Sequence, residues 1–140
     1  MNHPVVVVDD LDGAIAFFVE LGLEPGDRRT AEGQWMDRAL GLDGVRGEVA
    51  FVVTPDGAGR LELAKFYTPA APPADLDAPA NSAGIRVLTF TVDDLDDVLA
   101  RLRTHGAEPM GEIEDVGDGY RLCYVRGPAG IIIELAEQGG

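Results

Sequence analysis

Two short stretches place a carboxylate where a strand would otherwise be apolar. In RLELAKF (60–66), Arg60, Glu62, Ala64 and Phe66 share one face, and Leu61 and Leu63 share the other. In GIIIELAE (130–137), Glu134 shares a face with Ile132 and Ala136. A carboxylate among apolar strand neighbours needs a partner, because burying it alone is costly. Held there, it can accept a ligand's hydrogen bond, move a proton or ligate a cation. The other reactive groups read more plainly. His105, in RTHGAEP, sits at a helix end, where positive charge is favoured. Cys123, in RLCYVRG, reads as a buried small hydrophobe, with no base evident beside it. Trp35, Phe51, Phe66, Tyr120 and Tyr124 are the aromatic candidates for lining a pocket. Trp35 leads them, flanked by Gly33, Gln34 and Asp37 in a loop-like stretch.

The elements that must position these groups are written twice. VVDDLDGAIAFFVELGLEPG (7–26) returns as TVDDLDDVLARLRTHGAEPMG (91–111). A shift of 84 positions carries Asp9, Asp10, Leu11 and Asp12 onto Asp93, Asp94, Leu95 and Asp96. The same shift carries Gly22, Glu24 and Pro25 onto Gly106, Glu108 and Pro109. Each copy opens with an apolar run that suits a strand, Val5–Val8 and Val87–Val92. Aspartates then supply N-cap oxygens and first-turn negative charge for a helix. Apolar residues follow at helical spacing: Leu11, Ile15, Phe18 and Val19, then Leu95, Val98, Leu99 and Leu102. Gly22 and Gly106 end the helices, where a left-handed residue costs least.

Extended runs come next: Gly47–Thr54 and Arg60–Phe66 about the turn Pro55-Asp56-Gly57, then Tyr120–Arg126 and Ile131–Ala136 about Gly127–Gly130. Each half therefore reads as strand, helix and about three strands. A first βαβββ module spans 1–67, a Pro/Ala-rich linker 68–84, and a second βαβββ module 85–140. The fold class is α+β. The two modules, each with one open sheet face, are expected to form a cup-shaped, partly barrel-like sheet whose hollow is the natural ligand site.

Composition bounds the function. A 140-residue chain with 46% hydrophobic residues can bury a core as one domain or two small modules. A formal charge of −14, with Lys65 as the only lysine, argues against a nucleic-acid partner, which needs a basic face. No apolar run approaches a membrane span, and no leader-like segment is evident. The single cysteine suits a reducing setting, so a cytoplasmic location is expected.

Paired βαβββ modules that open on VDDLD and close on a GP.G…EL hairpin resemble the vicinal oxygen chelate superfamily. That group includes glyoxalase I, methylmalonyl-CoA epimerase, extradiol dioxygenases, and fosfomycin and bleomycin resistance proteins. The resemblance covers nearly the whole chain, except the linker and RTAEGQWMDRALGLDGVRG (29–47), which reads as an insertion. It implies a divalent metal held by a His and a Glu from each module. His3, six residues before Asp9, matches the first ligand. Glu62 matches the second and Glu134 the fourth. Val87 stands where the third, a histidine, would be. The remaining His3, Glu62 and Glu134 imply a degraded site: no cofactor, or a divalent metal bound weakly.

Two functions follow from this resemblance. One is a binding protein of the antibiotic or natural-product resistance type, sequestering a bulky apolar or aromatic small molecule. Its expected pocket comprises His3, Trp35, Phe51, Glu62, Phe66, Val87, Thr89, Tyr124 and Glu134. The alternative is a metal-dependent lyase or isomerase, glyoxalase- or epimerase-like, in which Glu134 or Glu62 moves the proton. A homodimer is expected in either case, since modules of this family pack or exchange between chains.

Overall fold

The computed structural model describes residues 1–139. The chain divides into two compact units, Met1–Ala74 and Asp75–Gly140. Unit 1 runs β1 (Val5–Val7), α1 (Leu11–Leu21), β2 (Glu24–Glu32), α2 (Gln34–Leu40), β3 (Arg46–Val53) and β4 (Arg60–Thr68). Its sheet has the order β1-β4-β3-β2, with β1 parallel to β4 and the other pairs antiparallel. Unit 2 runs β5 (Val87–Val92), α3 (Leu95–Arg103), β6 (Glu114–Asp115), β7 (Tyr120–Arg126), a 3-10 turn (Pro128–Gly130) and β8 (Ile132–Gln138). Its order, β5-β8-β7-β6, repeats that of unit 1.

The repeated aspartates do what their position predicts. Asp10 caps α1 by accepting a hydrogen bond from the Gly13 amide at 2.9 Å, and Asp94 caps α3 from the Asp97 amide at 3.0 Å. In α3 all four predicted apolar positions, Leu95, Val98, Leu99 and Leu102, are buried. In α1 the prediction needs correction. Val19 is 40% exposed, and the buried stripe is Leu11, Ala14, Phe17, Phe18 and Leu21. Phe18 is the centre of that stripe, with no exposed surface. Val19 lies a further 100° around the helix and turns away from the sheet.

Helix α1 packs on β3 and β4, above Ala50, Val52, Leu61 and Leu63. Strand alternation therefore leaves Glu62 and Phe51 on the face opposite the helix. Cys123 is fully buried, and that burial pushes its thiol pKa up, as a structural cysteine requires.

The stretch read as an insertion is largely regular. Its residues Arg29–Glu32 finish β2, and Gln34–Leu40 form α2. β2 is a polar edge strand, exposed along its length except at Ala31, so it lacks the apolar alternation that announces a strand. Asp37 closes the loop after α2 by accepting from the amides of Gly44 (3.0 Å) and Val45 (2.8 Å), which sets the buried Val45 into the core.

Two glycines are required by close approach. A Cβ at Gly47 would stand 2.3 Å from the Lys65 carbonyl oxygen, where the β3–β4 register shifts. A Cβ at Gly130, which has a φ of +76°, would stand 2.8 Å from the Leu76 Cα. No helix among the described residues is long and apolar enough to cross a membrane.

Candidate functional site

Unit 1 gathers His3, Phe51, Glu62 and Arg60 on its helix-free face. The β1–β4 pairing sets Val5 opposite Glu62, and the chain before β1 returns His3 to the same carboxylate. His3 Nε2 lies 2.9 Å from Glu62 Oε1, and the two side chains are only 17% and 21% exposed. An ionised carboxylate only accepts, so His3 donates through Nε2–H. The β3–β4 register places Phe51 directly opposite Glu62. The Phe51 ring meets the imidazole edge-on, with centroids 5.1 Å apart and planes at 80°. The Arg60 guanidinium carbon sits 4.2 Å from the centroid of the same Phe51 ring. Arg60 is absent from the predicted pocket. Alternation in RLELAKF already put it on the face of Glu62, but strand pairing was needed to set it over Phe51.

Unit 2 builds its counterpart from hydroxyls. The β5–β8 and β7–β8 registers flank Glu134 with Thr89 and Tyr124. Thr89 Oγ1 donates to Glu134 Oε1 at 2.7 Å, and the Tyr124 hydroxyl donates to Oε2 at 3.0 Å. This hydrogen bond to Glu134, with some desolvation, raises the Tyr124 phenol above its ordinary pKa. Val87 pairs with Ile132 one pleat earlier and offers no donor atom.

The other predicted pocket residues are placed less closely. Phe66 lies on the face of Glu62, half-buried and paired with Gly47. Trp35 is on α2, packed over Gly33 and 62% exposed. It makes no hydrogen bond or ring contact with the His3–Glu62 group among the described residues.

A separate polar brace lies on the exposed surface of unit 1. Arg28 reaches Asp12 at 2.6 Å and Glu48 at 2.9 Å, and the Tyr67 hydroxyl donates to Glu48 at 2.5 Å. Hydrogen bonds from Arg28 and then Tyr67 hold the Glu48 carboxyl below its ordinary range. Every group in this brace has its partner, so it ties α1, β2, β3 and β4 together rather than waiting for a ligand.

The chain belongs to the glyoxalase/bleomycin resistance protein/dioxygenase superfamily, whose family model matches residues 1–135. It is similar to a glyoxalase family protein of Bacillus cereus, with 45% identity, a TM-score of 0.94, and coverage of 100% of this chain and 94% of that one. It is also 31% identical over 144 residues to a 2-epi-5-epi-valiolone epimerase of an Actinomyces species, covering 96% of this chain and 77% of the relative. A fosfomycin resistance protein of Listeria monocytogenes shares the fold at 15% identity, with a TM-score of 0.64 and coverage of 100% of this chain and 93% of that one.

The metal of the family asks for an imidazole and a carboxylate from each module. Unit 1 has that pair in hydrogen-bonded contact. Unit 2 does not fit: position 87 is apolar, and both oxygens of Glu134 already accept from a hydroxyl. Within neither unit do three His, Cys, Asp or Glu side chains converge as a metal cage among the described residues. The two units therefore present a His–Glu pair beside an aromatic ring and a carboxylate fixed by two hydroxyls.

Proposed function

We propose that this protein is a small-molecule-binding member of its superfamily that sequesters a bulky, largely apolar or aromatic ligand without a bound metal. The observation that carries this reading is the state of Glu134. Its two oxygens are engaged by Thr89 and Tyr124, and the expected imidazole beside it is replaced by Val87. A carboxylate held by two hydroxyls keeps unused lone pairs for a ligand N–H or O–H. In unit 1 half-buried Phe66 supplies apolar surface on the face of Glu62, and in unit 2 half-buried Val87 does so on the strand beside Glu134. The buried single cysteine accords with a cytoplasmic location, and we take the working form to be a homodimer.

A thermal-shift screen of aromatic natural products, run with and without a chelator, tests this reading. A ligand at 100 times its Kd stabilises the folded state by about 2.7 kcal/mol. For a chain of this size that raises Tm by several degrees. The rise is expected to be the same in chelator. Stabilisation that disappears in chelator and returns with a divalent ion would overturn the metal-free reading.

A second reading has an observation of its own. His3 and Glu62 remain paired at 2.9 Å, and one relative is an epimerase. A carboxylate oriented by an imidazole can remove a proton next to a carbonyl. In that case Glu62 is the proton-moving group, and solvent deuterium would enter an α-hydroxy ketone substrate at its chiral carbon. Glu62→Gln would abolish that exchange.

A further inference from the structure

The chain carries 25 acidic and 11 basic side chains, and its arginines differ in what holds them. Arg28, Arg46, Arg101, Arg103 and Arg121 all make ion pairs. Arg86 and Arg126 donate to backbone carbonyls. Arg60, like Arg29 and Arg38, has no ion-pair or hydrogen-bond partner among the described residues, and of these three it is the one that lies over an aromatic ring. That ring is Phe51, 7% exposed, whose edge-on neighbour is His3, itself bonded to Glu62. Arg60 and Glu62 are two residues apart on β4 and so project from the same face.

We infer that Arg60, laid over Phe51 beside the His3–Glu62 pair, is an oxyanion-binding position, and that the ligand carries a carboxylate or phosphate group next to an apolar or aromatic body. The ring holds the guanidinium carbon 4.2 Å from its centroid, and a guanidinium whose N–H groups have no partner among the described residues can take two oxygens of one anion at once. Phe51, itself 7% exposed, serves as the platform beneath the guanidinium, and the apolar body is that of the ligand in the binding reading. Glu62 would repel an anion, but His3 donates to it and offsets part of its charge. The overall charge of −14 makes such a position more telling, since anions are repelled from most of the surface.

This inference deepens the binding reading and rests on it, so its test separates the two. Phenyl phosphate, benzyl alcohol and inorganic phosphate are titrated into 15N-labelled protein, following the arginine Nε–H and histidine ring signals. Phenyl phosphate is expected to bind about tenfold or more tighter than benzyl alcohol and to move the Arg60 and His3 signals. In Arg60→Gln that margin is expected to vanish with benzyl alcohol binding unchanged. Arg60→Lys, which keeps the charge without the planar fork, should retain only part of it. Arg38→Gln, on α2, should leave it intact. Equal binding of the two aromatic probes, unaffected by Arg60→Gln, would overturn the oxyanion position and leave the binding reading standing. No binding by phenyl phosphate or inorganic phosphate would also overturn it, and the natural-product screen would then decide the binding reading by itself.

Discussion

Glu62 in unit 1 and Glu134 in unit 2 hold equivalent register positions. Each lies on the strand parallel to the first strand of its unit, opposite an aromatic residue of the adjoining antiparallel strand, Phe51 or Tyr124. Their partners differ. Glu62 accepts from an imidazole that precedes β1 by two residues, whereas Glu134 accepts from Thr89 inside β5 and from the ring opposite it. Three exchanges, His3 for Val87, Val5 for Thr89 and Phe51 for Tyr124, turn an imidazole-bonded carboxylate into one held by two hydroxyls. A duplicated frame can thus keep its backbone register while the chemistry of one copy is rewritten by two or three side chains.

The comparison is broken most forcefully in the core. Leu63 and Leu135 each immediately follow the carboxylate, and both have no exposed surface. Leu63→Ala and Leu135→Ala should each cost about 2–5 kcal/mol in chemical denaturation. A value near that of a surface substitution at either site would show that the two cores are not equivalent.

The next largest effect tests the rewriting itself. Val87→His restores to unit 2 the His–Glu pairing of unit 1. Nickel affinity by titration calorimetry should rise by at least the roughly 10–100-fold that an outer partner of a metal ligand typically contributes. A parent protein that binds nickel as tightly as the variant would refute the disrupted donor set.

Helix caps sharpen the comparison at smaller scale. Asp10→Ala and Asp94→Ala should each cost about 1 kcal/mol, because each removes one hydrogen bond to an otherwise unsatisfied amide. Denaturant midpoints of the two variants should fall by similar amounts.

The smallest effect concerns pH. The Tyr124 phenol is raised from 10.0, first by its hydrogen bond to Glu134. A raised folded pKa contributes stability that is present below the unfolded pKa and lost as pH rises through the folded one. The Tyr124–Glu134 bond should therefore support stability through neutral pH and fail in strong alkali. Tyr67, bonded to Glu48, is also raised. Absorbance titration should show two late phenols, and Tyr124→Phe should remove one of them.

Much of this frame is legible in the sequence because burial writes a period. Leu95, Val98, Leu99 and Leu102 face a sheet, and all four were readable. Strands β7 and β5 carry apolar runs with the predicted ends, while β8 continues to Gln138. β2 and α2 bury few side chains, so EPGDRRTAE and QWMDRAL carry no period to read. The site was readable to the level of a face. Alternation put Glu62 and Glu134 opposite the leucines, but which hydroxyl or guanidinium reaches them depends on strand pairing. Thr89 and Tyr124 are therefore legible as pocket residues but not as donors to Glu134, and the place of Arg60 over Phe51 is not legible.

Gly130 bears on how the chain can be divided. A side chain there would collide with the backbone of Asp75 and Leu76, which come before β5 in a stretch without regular structure. The hairpin between β7 and β8 thus grips chain that, by composition, looks like a spacer. A half-molecule prepared from the first strand residue, Val87, would expose the inner side of that hairpin. One prepared from Asp75 keeps the grip. The working seam of the duplication falls among the prolines and alanines just before Asp75, well upstream of Val87, where the first strand of the second copy begins.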